Sequence, residues 1–165
     1  MNLEFGCGEN PTKEGFKTCD IRNLPGVNYA CPAWKITEHV EPNTVDEIWS
    51  RHFFEHLTFA QGKVVLDQWF SILKPGGIMG MMLPNLDFHL RQLNSWNDMN
   101  AKGKQDCRAG LWGWQHGDFE DTWDTHKSGY NKNMLFELLG QHGFVNLVSK
   151  RNPKNRHLEI SCNKP

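Results

Sequence analysis

The pattern of apolar and polar positions divides the chain into short strands first and helices later. Asn2-Leu3-Glu4-Phe5 puts Leu3 and Phe5 two apart, the period of a strand with one buried face. Lys17-Thr18-Cys19-Asp20-Ile21 is a second short stretch. Val27-Asn28-Tyr29-Ala30-Cys31 is a third; it follows the Pro25-Gly26 turn and stops at Pro32, which has no N–H to give a ladder. Val45-Asp46-Glu47-Ile48-Trp49-Ser50 is a fourth. Then the period changes. From about Phe59 to Leu73, the residues Val64, Val65, Leu66, Trp69, Phe70 and Leu73 recur on one helical face, and Lys74-Pro75-Gly76-Gly77 supplies the stop. Ile78 to Leu83 is a buried strand ended by Pro84, and Leu86 to Trp96 is helical. Asn133 to His142 is a helix stopped by Gly143. Val145 to Lys150 and Leu158 to Cys162 are closing strands joined by the turn-forming Asn152-Pro153-Lys154-Asn155.

Strands interrupted by helices and closed by a hairpin predict an α/β sheet, mostly parallel with an antiparallel C-terminal edge. The first connection, Glu9 to Phe16, is shorter than the dozen or so residues a crossover helix needs, so the first crossover helix is expected to be reduced or missing. A length of 165 residues predicts one domain spanning 1–165. Ala101 to Ser128 is rich in Gly, Asp, His and Trp and reads as irregular, a lid-like insertion at about 98–130. Its tryptophans argue against disorder. It would either cover the acceptor of a reaction or cover the sheet face left bare by the absent helix.

Composition narrows the classes. Apolar residues make up 38% and charged residues 22%, a globular balance. Lys and Arg number 18 against 19 Asp and Glu, with no basic run, which lacks the electrostatic footprint of a general nucleic-acid binder. The longest near-continuous apolar stretch, Gly77 to Leu83, falls far short of the ~20 residues of a membrane span. No signal peptide is visible at Met-Asn-Leu-Glu. Five cysteines without a CxxC pair suggest free thiols and a reducing, cytoplasmic setting.

The first candidate site is Gly6-Cys7-Gly8, where a strand stops at two glycines and backbone can approach a ligand closely. In open α/β sheets, ligands sit outside the carboxyl ends of the strands. Pro11 stands where the third glycine of a dinucleotide fingerprint would fall, which argues against NAD or FAD. Asp20, at the end of the second strand, is placed to accept both hydroxyls of a ribose.

These features are joined by Trp49-Ser50-Arg51-His52-Phe53-Phe54-Glu55-His56-Leu57 and by Ile72-Leu73-Lys74-Pro75-Gly76-Gly77. In this order, the four motifs resemble the class I S-adenosylmethionine-dependent methyltransferases, closest to small predicted members with GCG, EHL and LKPGG motifs. The resemblance covers residues 2 to 96 well and the tail more loosely. It implies a Rossmann-like fold, S-adenosylmethionine as cofactor and methyl transfer as the reaction. It also implies placements. Glu4 and the Gly6, Cys7 and Gly8 backbone would lie beside the methionine part, Asp20 on the ribose, Ile21 on the adenine, and Arg51 and His52 at the sulfonium end. Cys31-Pro32 stands where the family often has an acidic or polar residue near the adenine amine.

The acceptor is not identified by the sequence. The chain has no D-P-P-Y or N-P-P-Y after the fourth strand, which with the neutral charge disfavours nucleic-acid bases and leaves a small molecule, a saccharide or a lipid head group. A hydroxyl or ammonium acceptor needs a base, and His52, His116 and His126 are candidates because imidazole titrates near neutrality. An alternative is a catalytically inactive module that binds the cofactor or a partner. A remote one is a zinc peptidase, since His52-x-x-Glu55-His56 matches the H-x-x-E-H motif, with two histidines one helical turn apart and Glu55 as base. His52 lies only two residues beyond a strand, which disfavours that helix, and no metal site is expected.

Overall fold

The computed structural model describes residues 1–115, 123–150 and 155–165. Among these, seven strands form one sheet: β1 (Asn2–Phe5), β2 (Lys17–Asp20), β3 (Tyr29–Ala30), β4 (Val45–Arg51), β5 (Leu73–Pro84), β6 (Val145–Ser149) and β7 (His157–Asn163). Their order is β3-β2-β1-β4-β5-β7-β6. β1 to β5 are parallel, and β7 runs antiparallel to both β5 and β6. The helices are α1 (Phe59–Ile72), α2 (Leu86–Asn94), α3 (Ala101–Trp112) and α4 (Lys132–Gln141). This is the Rossmann-like α/β sheet with an antiparallel C-terminal edge that the element order predicts.

The register divides the sheet into unlike faces. Leu3, Ile48, Met79 and Cys162 lie side by side on one face, and Phe5, Ser50, Met81 and Ile160 follow on it. α1 packs there. Thr58 caps α1 in a capping box with Gln61, and the helix buries Val65, Leu66, Trp69 and Ile72. Trp69 is fully buried, its ring 4.9 Å from Phe5 and within 6.3 Å of Phe53 and Phe54. Val64, expected on the buried face, is instead exposed, because at 3.6 residues per turn it points away from the face built by Gly62, Val65, Leu66, Trp69 and Ile72.

The opposite face carries Glu4, Trp49, Gly80 and Ser161. Residues 6–16 cross between β1 and β2 through turns with no helix, as the connection length predicts. Glu4 ties that loop down. Its buried carboxylate accepts the backbone N–H groups of Thr12 and Lys13, each at 2.9 Å, and the Thr12 hydroxyl at 2.6 Å. The Trp49 indole donates to Thr12 Oγ1 at 3.1 Å. A polar loop thus replaces a helix, which explains why β1 and β4 alternate instead of forming the continuous apolar runs of a sheet covered on both sides.

Three expectations need correction. Ala101–Trp112, read from sequence as irregular, is a helix capped by Asn100, whose side chain accepts from Gly103 N. Its glycines mask the helical propensity of the Ala, Lys, Gln and Arg between them. It packs on α2, where a Cβ on Gly110 would come within 2.1 Å of the His89 ring. Lys74 to Gly77, read as a break before the strand, lies inside β5, where the register jumps from Val45↔Leu73 to Glu47↔Ile78 and the extra residues bulge out. The third strand shortens to Tyr29–Ala30 because Pro32 opens a 3₁₀ turn over Ala33–Glu38. The turn expected at 152–155 falls mostly on residues 151–154, outside the described residues. No described helix is long and apolar enough to cross a membrane.

Candidate functional site

The site lies at the carboxyl ends of β1, β2 and β4. Gly6 and Gly8 both adopt the left-handed conformation, with φ of +67° and +55°. At Gly6 a side chain has no room, since a Cβ would lie 2.4 Å from the Phe53 ring. Gly8 turns its N–H onto Asp20 Oδ2 at 2.9 Å. Asp20 Oδ1 accepts the Arg22 backbone N–H at 3.0 Å and Arg22 Nε at 3.1 Å. Burial pushes the Asp20 carboxyl up, but the hydrogen bonds from Arg22 and Gly8 outweigh it and hold the group below its ordinary range.

Two clefts flank the glycine turn and join at Gly6 and His52. The larger is lined by Asp20, Ile21, Cys31, Pro32 and Trp34 and bounded by Trp123 and Lys127. Ile21 is 45% exposed there, an apolar surface beside a carboxylate. The smaller, of about 140 Å³, is lined by Glu4, Cys7, Asn10, Thr12 and Arg51. Glu4 therefore reaches the cleft wall while its carboxylate is engaged by the loop. Arg51 is exposed at the end of β4, on the sheet face opposite Phe5.

His52 is where the clefts meet, and its backbone is unusual. Its φ of +49° is a left-handed conformation that a non-glycine residue seldom adopts. The strand ends by turning sharply here, and Nδ1 reaches Glu55 Oε1 at 3.2 Å. Phe54–His56 form a single 3₁₀ turn, and His52 lies outside it. The one-turn histidine pair that an H-x-x-E-H zinc helix needs is therefore not formed.

His56 instead meets His126. Their rings are 5.1 Å apart in an edge contact, and His126 Nε2 is 4.0 Å from Glu55 Oε1. His56 Nδ1 lies 3.2 Å from the Thr125 carbonyl. The backbone binds the same segment: the N–H groups of Lys127 and Ser128 donate to the Glu55 carbonyl at 2.8 and 3.1 Å, and His126 N to the Trp112 carbonyl at 3.1 Å. Gly113, at φ +78°, lets this segment pass, because a Cβ there would lie 1.7 Å from the Asp124 carbonyl. Burial pushes the His126 imidazolium down, opposed by the charge of Glu55. The result is a third, histidine-rich cleft that shares His52, His56 and Asp124 with the larger of the two and is also lined by His89, His126 and His157.

Of the residues singled out from sequence, Gly6, Asp20, Ile21 and His52 line the larger cleft. Glu4, Cys7, Arg51 and again His52 line the smaller, and Gly8 touches Asp20. His126 lies in the histidine-rich cleft. His116 lies outside the described residues. Sequence reading did not bring Glu55, His56 and His126 together, because Glu55 and His126 are distant in the chain and only the return of residues 123–130 over the end of β4 joins them.

Solved structures superpose on this chain along nearly its whole length. A possible exported protein from Bordetella parapertussis aligns with a TM-score of 0.63 at 12% identity, over 99% of this chain and 61% of that one. An S-adenosylmethionine-dependent methyltransferase from Thermotoga maritima, a possible histamine N-methyltransferase, aligns with a TM-score of 0.64 at 12% identity, over 99% and 81%. The 1,6-didemethyltoxoflavin-N1-methyltransferase of Burkholderia thailandensis, crystallised with 1,6-didemethyltoxoflavin and S-adenosylhomocysteine, aligns with a TM-score of 0.60 at 14% identity, over 99% and 70%. The chain has the fold of the S-adenosylmethionine-dependent methyltransferases. The chain spans 61% of the length of the Bordetella protein. No family model and no curated protein matches it.

Proposed function

We propose that the protein binds S-adenosylmethionine at the ends of β1 and β2 and transfers its methyl group to a small-molecule acceptor. One observation carries this: Asp20, a buried carboxylate, is held by Gly8 of the glycine turn beside the exposed apolar Ile21. That pairing suits a nucleoside, with an acceptor for its vicinal hydroxyls and an apolar side chain beside its base. Pro32 and Trp34 line the same cleft. The smaller cleft, with Arg51 and the glycine backbone, suits the amino-acid end.

The bound cofactor supplies a methyl carbon already activated by a sulfonium sulfur. The chain's own task is then alignment, which in well-oriented reactions is worth roughly 7–11 kcal/mol. His52 stands at the junction of the cofactor clefts and the histidine-rich cleft. It is the residue placed to take a proton from a hydroxyl or ammonium acceptor, while Glu55 holds its Nδ1. The acceptor belongs in the histidine-rich cleft, under α3 and residues 123–126, and is a small molecule or saccharide. This segment then acts as the lid. The described cysteines are all free thiols, which supports a reducing compartment such as the cytoplasm.

A second reading is a module that binds the cofactor without transferring its methyl. The full engagement of Glu4 by Thr12 and Lys13 favours it. Calorimetry with S-adenosylhomocysteine tests both. Saturable binding that weakens at least tenfold in Asp20→Ala supports the site, and methyl transfer to any member of a small-molecule panel then separates enzyme from module. No heat from folded protein at high micromolar ligand overturns both readings.

A further inference from the structure

We propose that Glu55, His56 and His126 form a binding site for one divalent transition-metal ion in the histidine-rich cleft. Their three ligand atoms lie within 4.8 Å of one another. A zinc ion roughly 2.1 Å from each would draw them about 1 Å closer, a side-chain adjustment.

Two independent features point to a cation. The first is Glu55 itself. It is 1% exposed; Oε1 receives His52, while Oε2 is buried and has no hydrogen-bond partner among the described residues. A buried carboxylate oxygen with nothing to accept is costly unless a proton or a cation meets it. The second is how the imidazoles are set. The Thr125 carbonyl can only accept, so His56 Nδ1 carries the hydrogen and Nε2 is left with its lone pair. His126 turns its Nε2 toward the same carboxylate, 4.0 Å from Glu55 Oε1. A ring nitrogen bonded to a carbonyl while the other points at a shared centre is how metal-bound histidines are oriented.

Two imidazoles and one carboxylate suit zinc, iron or cobalt and not magnesium or calcium, which take oxygen ligands. Three protein ligands leave one tetrahedral position open toward the cleft. On the methyl-transfer reading, and only this clause rests on it, that position binds an acceptor hydroxyl, whose proton passes to His52. The site differs from the H-x-x-E-H pattern, since His52 contributes through Glu55 and the second imidazole comes from residue 126.

Metal-free full-length protein titrated with Co2+, with no cofactor present, tests this. The expected result is one ion per chain at micromolar or tighter affinity, visible ligand-field bands, displacement by Zn2+, and no competition from Mg2+ at a hundredfold excess. Glu55→Gln, which keeps the backbone carbonyl used by Lys127 and Ser128, and His126→Gln should each weaken binding at least tenfold. His142→Gln, which alters only the exposed pair of His142 with Asp67, should leave it unchanged. In the wild type, Zn2+ should shift the imidazole nitrogen resonances of His56 and His126 and leave those of His39 and His142 in place. The absence of saturable binding, or binding that survives both cleft substitutions, overturns the proposal. Nitrogen shifts confined to His142 or His39 overturn it too, without touching the cofactor reading, which S-adenosylhomocysteine calorimetry measures separately.

Discussion

Arg22 holds Asp20 by both its backbone and its side chain: N–H and Nε lie 3.0 and 3.1 Å from the same carboxylate oxygen, Oδ1. On the proposed reading, in which Asp20 binds a ribose, the carboxylate is already engaged, and a hydroxyl must displace the guanidinium or share the oxygen with it. The Arg22 side chain is half exposed, so the pair is worth no more than about 1 kcal/mol. Arg22→Ala should therefore tighten S-adenosylhomocysteine binding by up to about fivefold, read by calorimetry. An affinity that falls in this variant would make Arg22 part of the ligand contact.

Gly6→Ala should destabilise the fold and Gly140→Ala should not. Alanine at Gly6 must adopt φ +67° and push its Cβ into Phe53, a combined cost of about 2–4 kcal/mol. Gly140 lies in α4 with open space around it, so alanine there should gain about 0.5–1 kcal/mol from helix propensity. Urea unfolding midpoints of the two variants should move in opposite directions.

Glu4→Gln should loosen the loop that stands in for the first helix. The amide keeps one acceptor but turns an NH2 toward backbone N–H groups that now donate to the carboxylate. Loss of a charge-assisted hydrogen bond costs about 1.5–3 kcal/mol. Hydrogen exchange should accelerate at Thr12 and Lys13 first. Unchanged protection there would show that the loop is held by other contacts.

His89 should make the fold acid-sensitive. Burial holds its pKa below the ordinary 6.5, with Gln92 opposing the shift. The unfolded chain then binds a proton more readily than the folded one. Stability is fully present above about pH 6.5 and declines as the pH falls through the lower folded value. Urea midpoints measured from pH 7.5 to 5 should fall in the wild type. His89→Gln, which cannot titrate, should flatten the curve, and an identical slope in the two proteins would remove His89 as the cause.

Much of this architecture could be read along the chain, because strand and helix periods are local. The alternation of Leu3 and Phe5, the face built on Val65, Leu66 and Trp69, and the short span from Glu9 to Phe16 determined the sheet, its first helix and the absence of the one before it. Gly6, Gly8 and Asp20 were legible for the same reason: each ends a strand, and strand ends in such sheets face one edge. The helix at Ala101–Trp112 was hidden, since its two glycines and polar residues give little periodicity, and its position depends on Gly110 resting against His89. Only the tertiary structure decided where Glu55, His56 and His126 meet. They are brought together by chain return and not by spacing, through the passage of residues 123–130 past Gly113 and their hydrogen bonds to the Glu55 carbonyl. The burial that leaves Oε2 without a hydrogen-bond partner among the described residues exists only once those segments have closed over it.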